Sequence, residues 1–361
     1  MIIGYVLDDT LDKSDGVQQA MITIGEKMRS LGHEVHYLVT DTKRADLENI
    51  HSLSGYYSMK FNGNSIRTPK PSSKKTIRKL LSEIKFDVLH VQMPYSPLMS
   101  ARVVKLAPKT TKIFGTFHIL PYNFSSRVGT KILGKYLYKT TKQFNKVFAV
   151  SEPARIFMKS TFGVDGEVLP NPISYKFFSS FAGNIKPKRI VFVGRFDERK
   201  GVKQLIKTFS LINDGVTELV MCGKGPLWDE VNATVQRDKL NVILPGFVSE
   251  EEKAKYLSSA DIAIFPSTGG ESFGIVLAEA MACGAGITLG GNNPGYSSVL
   301  SDWQDTLFNP FDSALLAEKI NTFLTDSSRK REIATEQHDY VKNFDVDLIT
   351  KRLENYYSEV Q

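Results

Sequence analysis

Two glutamates set eight positions apart, Glu271 and Glu279, are the residues whose type and spacing most clearly suggest chemistry. They flank an apolar run in GGESFGIVLAEAMACG (269–284). If a helix begins near Ser272, about 1.5 Å of rise per residue separates the pair by about 10–12 Å along the axis. Carboxyl groups that hydrolyse a glycosidic bond stand only about 5–9.5 Å apart. The spacing therefore favours binding of the two ends of one elongated ligand. The alternative is that neither residue has a chemical role: Glu271 would be an acidic residue at a helix start and Glu279 an exposed surface charge.

Further candidates follow other β-rich runs. Gly16 opens a helix after the first run, and Arg195 and Lys200 follow a later one in VGRFDERKGV. Ligands of doubly wound sheets bind at the carboxyl ends of strands, where cations, glycines and helix amides can hold phosphate. Gly274 lets the amides at a helix start approach an anion closely. The chain has no GxGxxG after its first strand and no GxxxxGK[ST], which disfavours a nicotinamide enzyme and a P-loop nucleotidase.

Alternating strand-like and helical segments must position these residues. The strand-like runs are almost continuously apolar, as expected for parallel strands covered by helices on both faces. Because helical spacing fills the intervals, the sequence predicts two doubly wound α/β domains. The strand-like runs are 2–7, 34–40, 87–92, 112–118 and 146–151, followed by 189–194, 218–223, 241–246, 261–267 and 285–290.

The domain boundary is expected within LPNPISYKFFSSFAGNIKPKR (169–189), which is rich in proline and has no helical period. We assign residues 1–170 to the first domain and 171–345 to the second, and expect a terminal helix at 346–361 to pack back on the first. A length of 361 residues with 42% hydrophobic content suits two cores.

Charge is distributed unevenly along the chain. Residues 1–170 hold 25 Lys and Arg against 14 Asp and Glu, whereas 171–361 hold 21 against 25, for a net charge of +7. No acid occurs between Asp87 and Glu152. We therefore expect the first half to meet an anionic partner.

The cysteines and the N-terminal residues indicate the cellular compartment of the protein. The two cysteines, Cys222 and Cys283, form no metal or disulfide motif. The apolar run MIIGYVL meets Asp8 and Asp9, unlike a signal peptide. We therefore expect a first strand there and a cytosolic protein.

Two basic segments are candidates for the anionic contact. In IRTPKPSSKKTIRKLLSEIK (66–85) apolar residues recur at helical spacing among cations, and a second stripe repeats every four positions from Arg127 to Lys139. Each basic residue near an anionic leaflet contributes about 1 kcal/mol, so these segments can hold a protein at a membrane reversibly. A solvated charged face is the alternative, and nucleic acid is disfavoured because no zinc, RRM or helix-turn-helix pattern is present. The first patch comprises Arg67, Lys70, Lys74, Lys75, Arg78 and Lys79.

The segment ESFGIVLAE resembles the E-x7-E signature of retaining GT-B glycosyltransferases of family four. The resemblance covers nearly the whole chain and extends to phosphatidylinositol mannosyltransferase-type enzymes and their lipid-modifying relatives. It implies two Rossmann-like domains that face each other across a cleft, the first binding the acceptor and the second the nucleotide-sugar donor. The other matching segments are GVQQAMITIGEKMRSLGHEV, FDVLHVQMP, GTFH, VLPNPI, VFVGRFDERKGV, GFVSEEEKAKYLSSADIAIFPS and EAMACGAGIT.

The resemblance also implies roles for individual residues. Glu271 would meet the hydroxyls of the donor sugar and Glu279 the ribose. Arg195 and Lys200 would hold the diphosphate, and His118 would face the sugar across the cleft. The remaining implied donor contacts are Gly16 near the phosphate, Val248 at the base, and the helix-start amides of Phe273, Gly274 and Ile275.

The implied chemistry is transfer with retention, without a metal or another cofactor. A nucleoside diphosphate is a good leaving group, so transfer needs charge stabilisation more than a general acid. His118, Arg195, Lys200 and Glu271 form the expected catalytic set, and a phosphate oxygen of the departing nucleotide would accept the proton of the incoming hydroxyl. The chain departs from the family at Asp15, where glycine is frequent.

These observations predict a hexosyltransferase that uses a nucleotide-sugar, with GDP-mannose as the first candidate, and a membrane-associated lipid such as phosphatidylinositol or a glycolipid. We expect it in the cytoplasm, peripherally bound to an anionic membrane surface at the inner face of the plasma membrane, without a nucleic-acid partner. Alternatives are UDP-glucose or UDP-galactose donors with diacylglycerol or a soluble polysaccharide precursor as acceptor. A protein that is not a transferase is the further alternative, since a sugar-nucleotide-binding protein or a sugar-nucleotide epimerase can have the same fold.

Overall fold

A computed structural model describes residues 1–12, 15–61, 64–121, 124–212 and 214–359. Within these ranges it describes only the backbone of 58–61, 64–68 and 124–129. The chain divides into two compact units, Met1–Pro172 with Val346–Gln361, and Ile173–Asp345.

The first unit is a parallel sheet with helices on both faces. The strand order is β3-β2-β1-β6-β7-β8-β9, and β4 pairs separately with β5 in an antiparallel hairpin. The chain runs from β1 outward to β2 but from β6 outward to β7, so a topological switch point lies between β1 and β6. Its elements are β1 (Ile2–Val6), α1 (Gly16–Ser30), β2 (Glu34–Thr40), β3 (Ile50–Ser54), β4 (Tyr56–Phe61), β5 (Asn64–Pro69), α2 (Lys74–Glu83), β6 (Val88–Val91), α3 (Met99–Leu106), β7 (Lys112–Phe117), α4 (Phe124–Thr141), β8 (Lys146–Ala149), α5 (Glu152–Phe162) and β9 (Glu167–Val168).

The second unit repeats this plan with a sheet in the order β12-β11-β10-β13-β14-β15, all parallel. Its switch point lies between β10 and β13. Two parallel, doubly wound units confirm the predicted fold class. The elements are α6 (Tyr175–Ser179), β10 (Arg189–Val193), α7 (Val202–Ile212), β11 (Glu218–Cys222), α8 (Trp228–Arg237), β12 (Val242–Gly246), α9 (Glu250–Ser258), β13 (Ile262–Phe265), α10 (Ile275–Ala282), β14 (Thr288–Gly291), α11 (Pro294–Val299), β15 (Leu307–Phe308), α12 (Ser313–Thr325) and α13 (Ser327–Tyr340).

The last helix, α14 (Val346–Glu359), returns to the first unit. Its Tyr357 is buried in the cluster that also contains Tyr5 and Phe114. The Tyr357 hydroxyl is hydrogen-bonded to Nδ1 of His90, whose Nε2 lies 2.7 Å from the Thr116 hydroxyl. A satisfied polar network inside an apolar core thus fixes where the helix packs.

Candidate functional site

The loops that follow β10 and β13 meet at the switch point of the second unit. Gly201, at φ 72°, ends the 3₁₀ turn Glu198–Lys200, and a Cβ there would lie 1.9 Å from the carbonyl oxygen of Pro266. Glycine alone allows so close an approach at a positive φ. The Thr268 N–H donates to the Arg199 carbonyl at 2.9 Å, which joins the loops directly. The basic turn is therefore held against the loop that follows β13.

Glu271 lies where these loops meet, with 12% of its side chain exposed. Its Oε1 accepts hydrogen bonds from Ser267 Oγ and Arg199 Nη1, each at 2.9 Å, and from Lys200 Nζ at 2.8 Å. Burial acts to raise the pKa of Glu271, but attraction to Arg199 and Lys200, with these hydrogen bonds, lowers it to about 2. The carboxylate is thus ionised at neutral pH. Since the donors among the described residues all reach Oε1, Oε2 can accept from a ligand.

Arg195 stands just before the same turn. Its Nε donates to Asp197 Oδ2 at 2.8 Å, and Oδ1 of the buried Asp197 accepts from the Lys200 N–H at 3.0 Å. Asp197 therefore orients Arg195 and also fixes the turn that carries Lys200. The Arg195 side chain is 34% exposed, so its guanidinium can reach an anionic ligand.

Helix α10 begins at Ile275, so the predicted start near Ser272 was wrong. The cause is Gly274, whose φ of 122° is not helical and whose Cβ, if present, would lie 2.8 Å from the Tyr296 ring. Glu279 consequently lies only just over one turn into the helix. Gly274 offers no capping side chain, and the Leu277 N–H donates to the Gly274 carbonyl at 3.0 Å. The amides of Ile275 and Val276, which a helix start leaves without a carbonyl partner four residues back, are the ones that suit an anion.

Glu279 is buried, which excludes the alternative that it is a surface charge. Its Oε1 accepts from Nζ of the buried Lys253 on α9 at 2.8 Å. Lys253 also pairs with Glu250 at 2.8 Å and lies 5.2 Å from the ring centroid of Phe178. Burial acts to lower the pKa of Lys253, but the two glutamates raise it above its usual value. The motif glutamates therefore have different cationic partners.

The other predicted contacts of the second unit lie in short segments before helices. Val248 is half-buried between β12 and α9. Just after it, Ser249 and Glu252 form a capping box that fixes the start of α9. Phe273 is buried and Ile275 is half-buried at the start of α10.

In the first unit the predicted residues follow strands at or beside the switch point. Gly16 is the first residue of α1, and Asp15 precedes it without a capping hydrogen bond from its side chain. His118 follows β7 and is buried, with Nε2 2.9 Å from Oε1 of Gln92, which follows β6. Burial lowers the pKa of His118 to about 3, so the imidazole is neutral at physiological pH.

The residues of the predicted basic patch divide between two elements: some lie in or just after β5 and the others on α2. Arg67 lies in β5, where side chains are not described, and Lys70 is exposed with its Nζ 5.0 Å from the ring centroid of Tyr57. Lys79 pairs loosely with Glu83 at 3.7 Å, both exposed. Among the helices of the described ranges, none is long and apolar enough to cross a membrane. The remaining patch residues, Lys74, Lys75 and Arg78, are exposed on α2.

Sequence reasoning missed several residues of these clusters. Arg199 lies inside RFDERKG, so counting cations in that motif would have found it. Lys253 and Gln92 give no comparable signal, because their role depends on which helix or strand lies beside them. The same holds for Asp8, a buried carboxylate that accepts from the Ser100 N–H and hydroxyl, each at 2.7 Å.

Comparison with known families matches both units. The Glycosyltransferase Family 4 model matches residues 14–177, and the Glycosyl transferases group 1 model matches residues 176–339. The two models together span most of the chain, with their junction near the boundary between the units.

Individual proteins align over the full length. The chain is 27% identical to the phosphatidyl-myo-inositol mannosyltransferase of Mycobacterium tuberculosis (strain ATCC 25618 / H37Rv), covering 100% of this chain and 97% of that protein. It is 28% identical to the enzyme of the same name from Mycolicibacterium smegmatis, covering 100% and 94%. The crystal structure of Anabaena Alr3699/HepE in complex with UDP superposes with a TM-score of 0.77 at 16% identity, covering 99% of this chain and 100% of that one.

Proposed function

Because the chain belongs to the GT-B glycosyltransferases, with a family 4 domain followed by a group 1 domain, we propose that it transfers a hexose from a nucleotide-diphosphate sugar to a membrane-associated lipid. Mannose from GDP-mannose is the first candidate, and phosphatidylinositol or a glycolipid is the first acceptor, because two relatives that align over the whole chain are phosphatidyl-myo-inositol mannosyltransferases. The observation that carries the proposal is the cluster of Glu271, Arg199 and Lys200 at a switch point.

In this proposal the diphosphate binds Arg195, Lys200 and the first amides of α10. These are cationic or donor groups, and they stabilise the charge that develops on the departing phosphate. Asp197 supports this by orienting Arg195 and by fixing the turn that carries Lys200.

Glu271 would bind a hydroxyl of the donor sugar through Oε2. A carboxylate with a pKa of about 2 accepts hydrogen bonds and does not act as a general acid near neutral pH. If the diphosphate draws Lys200 toward itself, Arg199 remains at 2.9 Å to keep Glu271 ionised and oriented. Arg199 is therefore a positioning residue in this mechanism.

Glu279 would bind the ribose, as the family pattern implies. Its buried ion pair with Lys253, at 2.8 Å, restricts its rotamers. A ribose diol offers two hydroxyl donors, which suits a carboxylate acceptor held in place by a lysine. Val248 and the start of α9 would then lie near the base, and Phe273 and Ile275 near the phosphates.

Transfer would proceed with retention and without a metal. The acceptor oxygen forms a bond to the anomeric carbon while the bond from that carbon to the phosphate oxygen breaks. The acceptor's proton passes to a phosphate oxygen of the leaving nucleoside diphosphate. Neutral His118 would contribute a hydrogen bond to a sugar hydroxyl, and Gly16 would let the chain approach the phosphate.

The charge of the first unit supports a lipid acceptor and a location at a membrane. The exposed cations Lys70, Lys74, Lys75, Arg78 and Lys79 are suited to an anionic leaflet. We place the enzyme peripherally at the inner face of the plasma membrane, where a lipid acceptor is within reach.

A uridine donor is the second candidate, because the Anabaena structure that superposes on this chain contains UDP. In that case UDP-glucose or UDP-galactose would supply the hexose, to diacylglycerol or a soluble polysaccharide precursor. A binding protein that does not transfer sugar would share the donor site but release no nucleotide.

Thermal unfolding with GDP-mannose, UDP-glucose and UDP-galactose tests the donor assignment. We expect one of these to raise the unfolding midpoint of the wild-type protein and to raise that of Lys200→Ala less. The same donor should be hydrolysed slowly without acceptor, releasing the nucleoside diphosphate. If no donor raises the midpoint and none is hydrolysed, the proposal is wrong.

A further inference from the structure

Two polar pairs lie side by side where β6 and β7 run in parallel toward the carboxyl edge of the first sheet. His90 of β6 contacts Thr116 of β7, and Gln92, just after β6, contacts His118, just after β7. Residues two positions apart on a strand point to the same face of the sheet. Each of the two imidazoles is therefore held by a polar side chain of the neighbouring strand, on one face.

The two pairs differ in how completely their polar atoms are hydrogen-bonded. Both ring nitrogens of His90 have partners, the Tyr357 hydroxyl at Nδ1 and the Thr116 hydroxyl at Nε2. In the second pair, Nδ1 of His118 and Nε2 of Gln92 have no hydrogen-bond partner among the described residues. His118 is only 9% exposed and Gln92 only 1%. Because buried polar atoms are normally paired, these two are suited to a ligand.

The contact between Gln92 and His118 determines which ring nitrogen carries the proton. Oε1 of Gln92 lies 2.9 Å from Nε2 of His118, and an amide oxygen can only accept, so Nε2 donates. A neutral imidazole has a single N–H, which leaves Nδ1 as an acceptor. Burial lowers the pKa of His118 to about 3, and that of the neighbouring His90 to about 3 as well. Both rings are therefore neutral at physiological pH.

We propose that Gln92 is a positioning residue for His118: it fixes the tautomer with the proton on Nε2, so that Nδ1 accepts a hydrogen bond from a hydroxyl of the ligand. A hydroxyl can donate to Nδ1, whereas an ionised phosphate oxygen only accepts and is disfavoured there. The same hydroxyl-bearing ligand can accept from the amide nitrogen of Gln92. This role rests on the proposed function, in which His118 meets a sugar hydroxyl, and it gives the direction of that hydrogen bond.

Nuclear magnetic resonance of the full chain with ¹⁵N in the histidine rings tests the tautomer without any substrate. The chain has six histidines, and the His118 signals are those that His118→Asn removes. We expect Nδ1 to resonate as an unprotonated nitrogen between about pH 6 and 8, with the one ring proton on Nε2. A proton on Nδ1 would overturn the proposal, because Gln92 would then donate to Nε2 through its amide nitrogen.

Gln92→Met removes the acceptor but keeps a side chain of similar length. The Nε2 proton should then exchange faster with water, and kcat should fall about tenfold, as in His118→Asn. The double variant should be no slower than His118→Asn alone, because Gln92 acts through His118. Additive losses would show that Gln92 acts independently of the imidazole, and the positioning role would be wrong.

Gln92→Glu restores an acceptor for Nε2 and adds a negative charge, which raises the pKa of His118. This variant should recover most of the activity that Gln92→Met loses, but only at the high-pH end of the profile. As pH falls, protonation of Nδ1 removes the acceptor, so kcat should decline at a higher pH than in the wild type. The added decline should be absent when His118→Asn is combined with Gln92→Glu. Its persistence there would contradict the proposal.

Thr116→Val is the matched control, because it removes the partner of His90 from the same pair of strands. It should leave the His118 tautomer and the pH profile as in the wild type, and all variants should keep the wild-type far-UV circular dichroism. If Thr116→Val changes the His118 ring signals as much as Gln92→Met does, the proposal is overturned. If no donor is turned over, the proposed function fails, while the ring signals of the wild type and of Gln92→Met still decide the tautomer.

Discussion

One carboxylate oxygen of Glu271, Oε1, accepts hydrogen bonds from Arg199, Lys200 and Ser267. The two cations keep this buried carboxylate ionised. Lys200 is expected to bind the diphosphate as well, so Arg199 is the cation that stays with Glu271 throughout the proposed mechanism. Tyr296, buried on α11, also faces this carboxylate but carries no positive charge. Arg199 should therefore control the ionisation of Glu271.

Replacing Arg199 by methionine tests this at the residue scale. With one attracting cation removed, the pKa of Glu271 should rise from about 2 toward its ordinary 4.5. Because the ionised form is the active one, the acid limb of kcat/KM for the donor should move to higher pH. At neutral pH kcat/KM should fall about tenfold to a hundredfold, and Arg199→Lys should restore most of it.

Lys203→Met is the matched control, because it removes a cation that pairs with Glu198 and Glu230 instead. It should leave the acid limb where the wild type has it. An unmoved limb in Arg199→Met would contradict the positioning role.

For His118, unlike Glu271, we expect no effect on the pH dependence of the reaction. Since burial lowers its pKa to about 3, it stays neutral as pH varies between about 5 and 8. His118→Asn should lower kcat about tenfold by removing a hydrogen bond, and the shape of the pH profile over that range should be preserved. A wild-type limb near pH 6.5 that disappears in the variant would show that the imidazole titrates during turnover.

Asp15 precedes Gly16, and within the described part of the chain its side chain makes no capping hydrogen bond to α1. If a diphosphate lies near Gly16, this carboxylate repels it. Asp15→Gly should therefore leave the Kd for the donor equal or lower, as measured by calorimetric titration. A large loss of donor affinity would show that the acid has its own role in binding.

At the scale of elements, the start of α10 depends on one backbone conformation. Gly274→Ala would force a non-glycine residue to φ 122° and place a Cβ 2.8 Å from Tyr296. We expect about 1–3 kcal/mol from the backbone alone and more from the contact, measured by urea unfolding. Gly215→Ala is the control, because Gly215 also has a positive φ (74°) but no atom near the added methyl. Equal losses in the two variants would mean that the contact with Tyr296 does not matter.

The sequence predicts the buried strands of both sheets better than their edges. Each of the ten apolar runs contains a strand or overlaps one, and the inner strands are apolar because helices cover them on both faces. Of the four edge strands only β12 was predicted; β3, β9 and β15 and the hairpin β4–β5 were missed, since they are short or partly polar. The start of α10 was misplaced because periodicity does not show the φ of Gly274.

Side-chain partners were predictable only where they are close in sequence. Arg195 and Lys200 are fixed by Asp197, within the same motif, and their placement together could be anticipated. The pairing of Glu279 with Lys253 could not, because it depends on α9 packing beside α10. The spacing of the two glutamates suggested separate roles, but not that one of them is buried in an ion pair.

For the whole molecule, the two units share a plan but differ in charge. Both place their candidate residues in loops that follow strands at the switch points, as doubly wound sheets do. Residues 1–170 carry an excess of cations and 171–361 a slight excess of acids. This division suits a first unit that meets an anionic membrane and a second unit that binds the donor locally, through a few well-placed cations.

The most direct test of hexosyl transfer is movement of labelled sugar into lipid. The enzyme is incubated with vesicles containing phosphatidylinositol and with GDP-mannose labelled in the sugar, and the label in the organic phase is measured. We expect wild-type enzyme to transfer label to the lipid and Glu271→Gln to transfer at least a hundredfold less, with Glu318→Gln, an exposed carboxylate on α12, unchanged. If the label stays in the aqueous phase with this donor and with the two UDP-sugars, transfer to this lipid is contradicted. Equal transfer by Glu271→Gln would contradict the site.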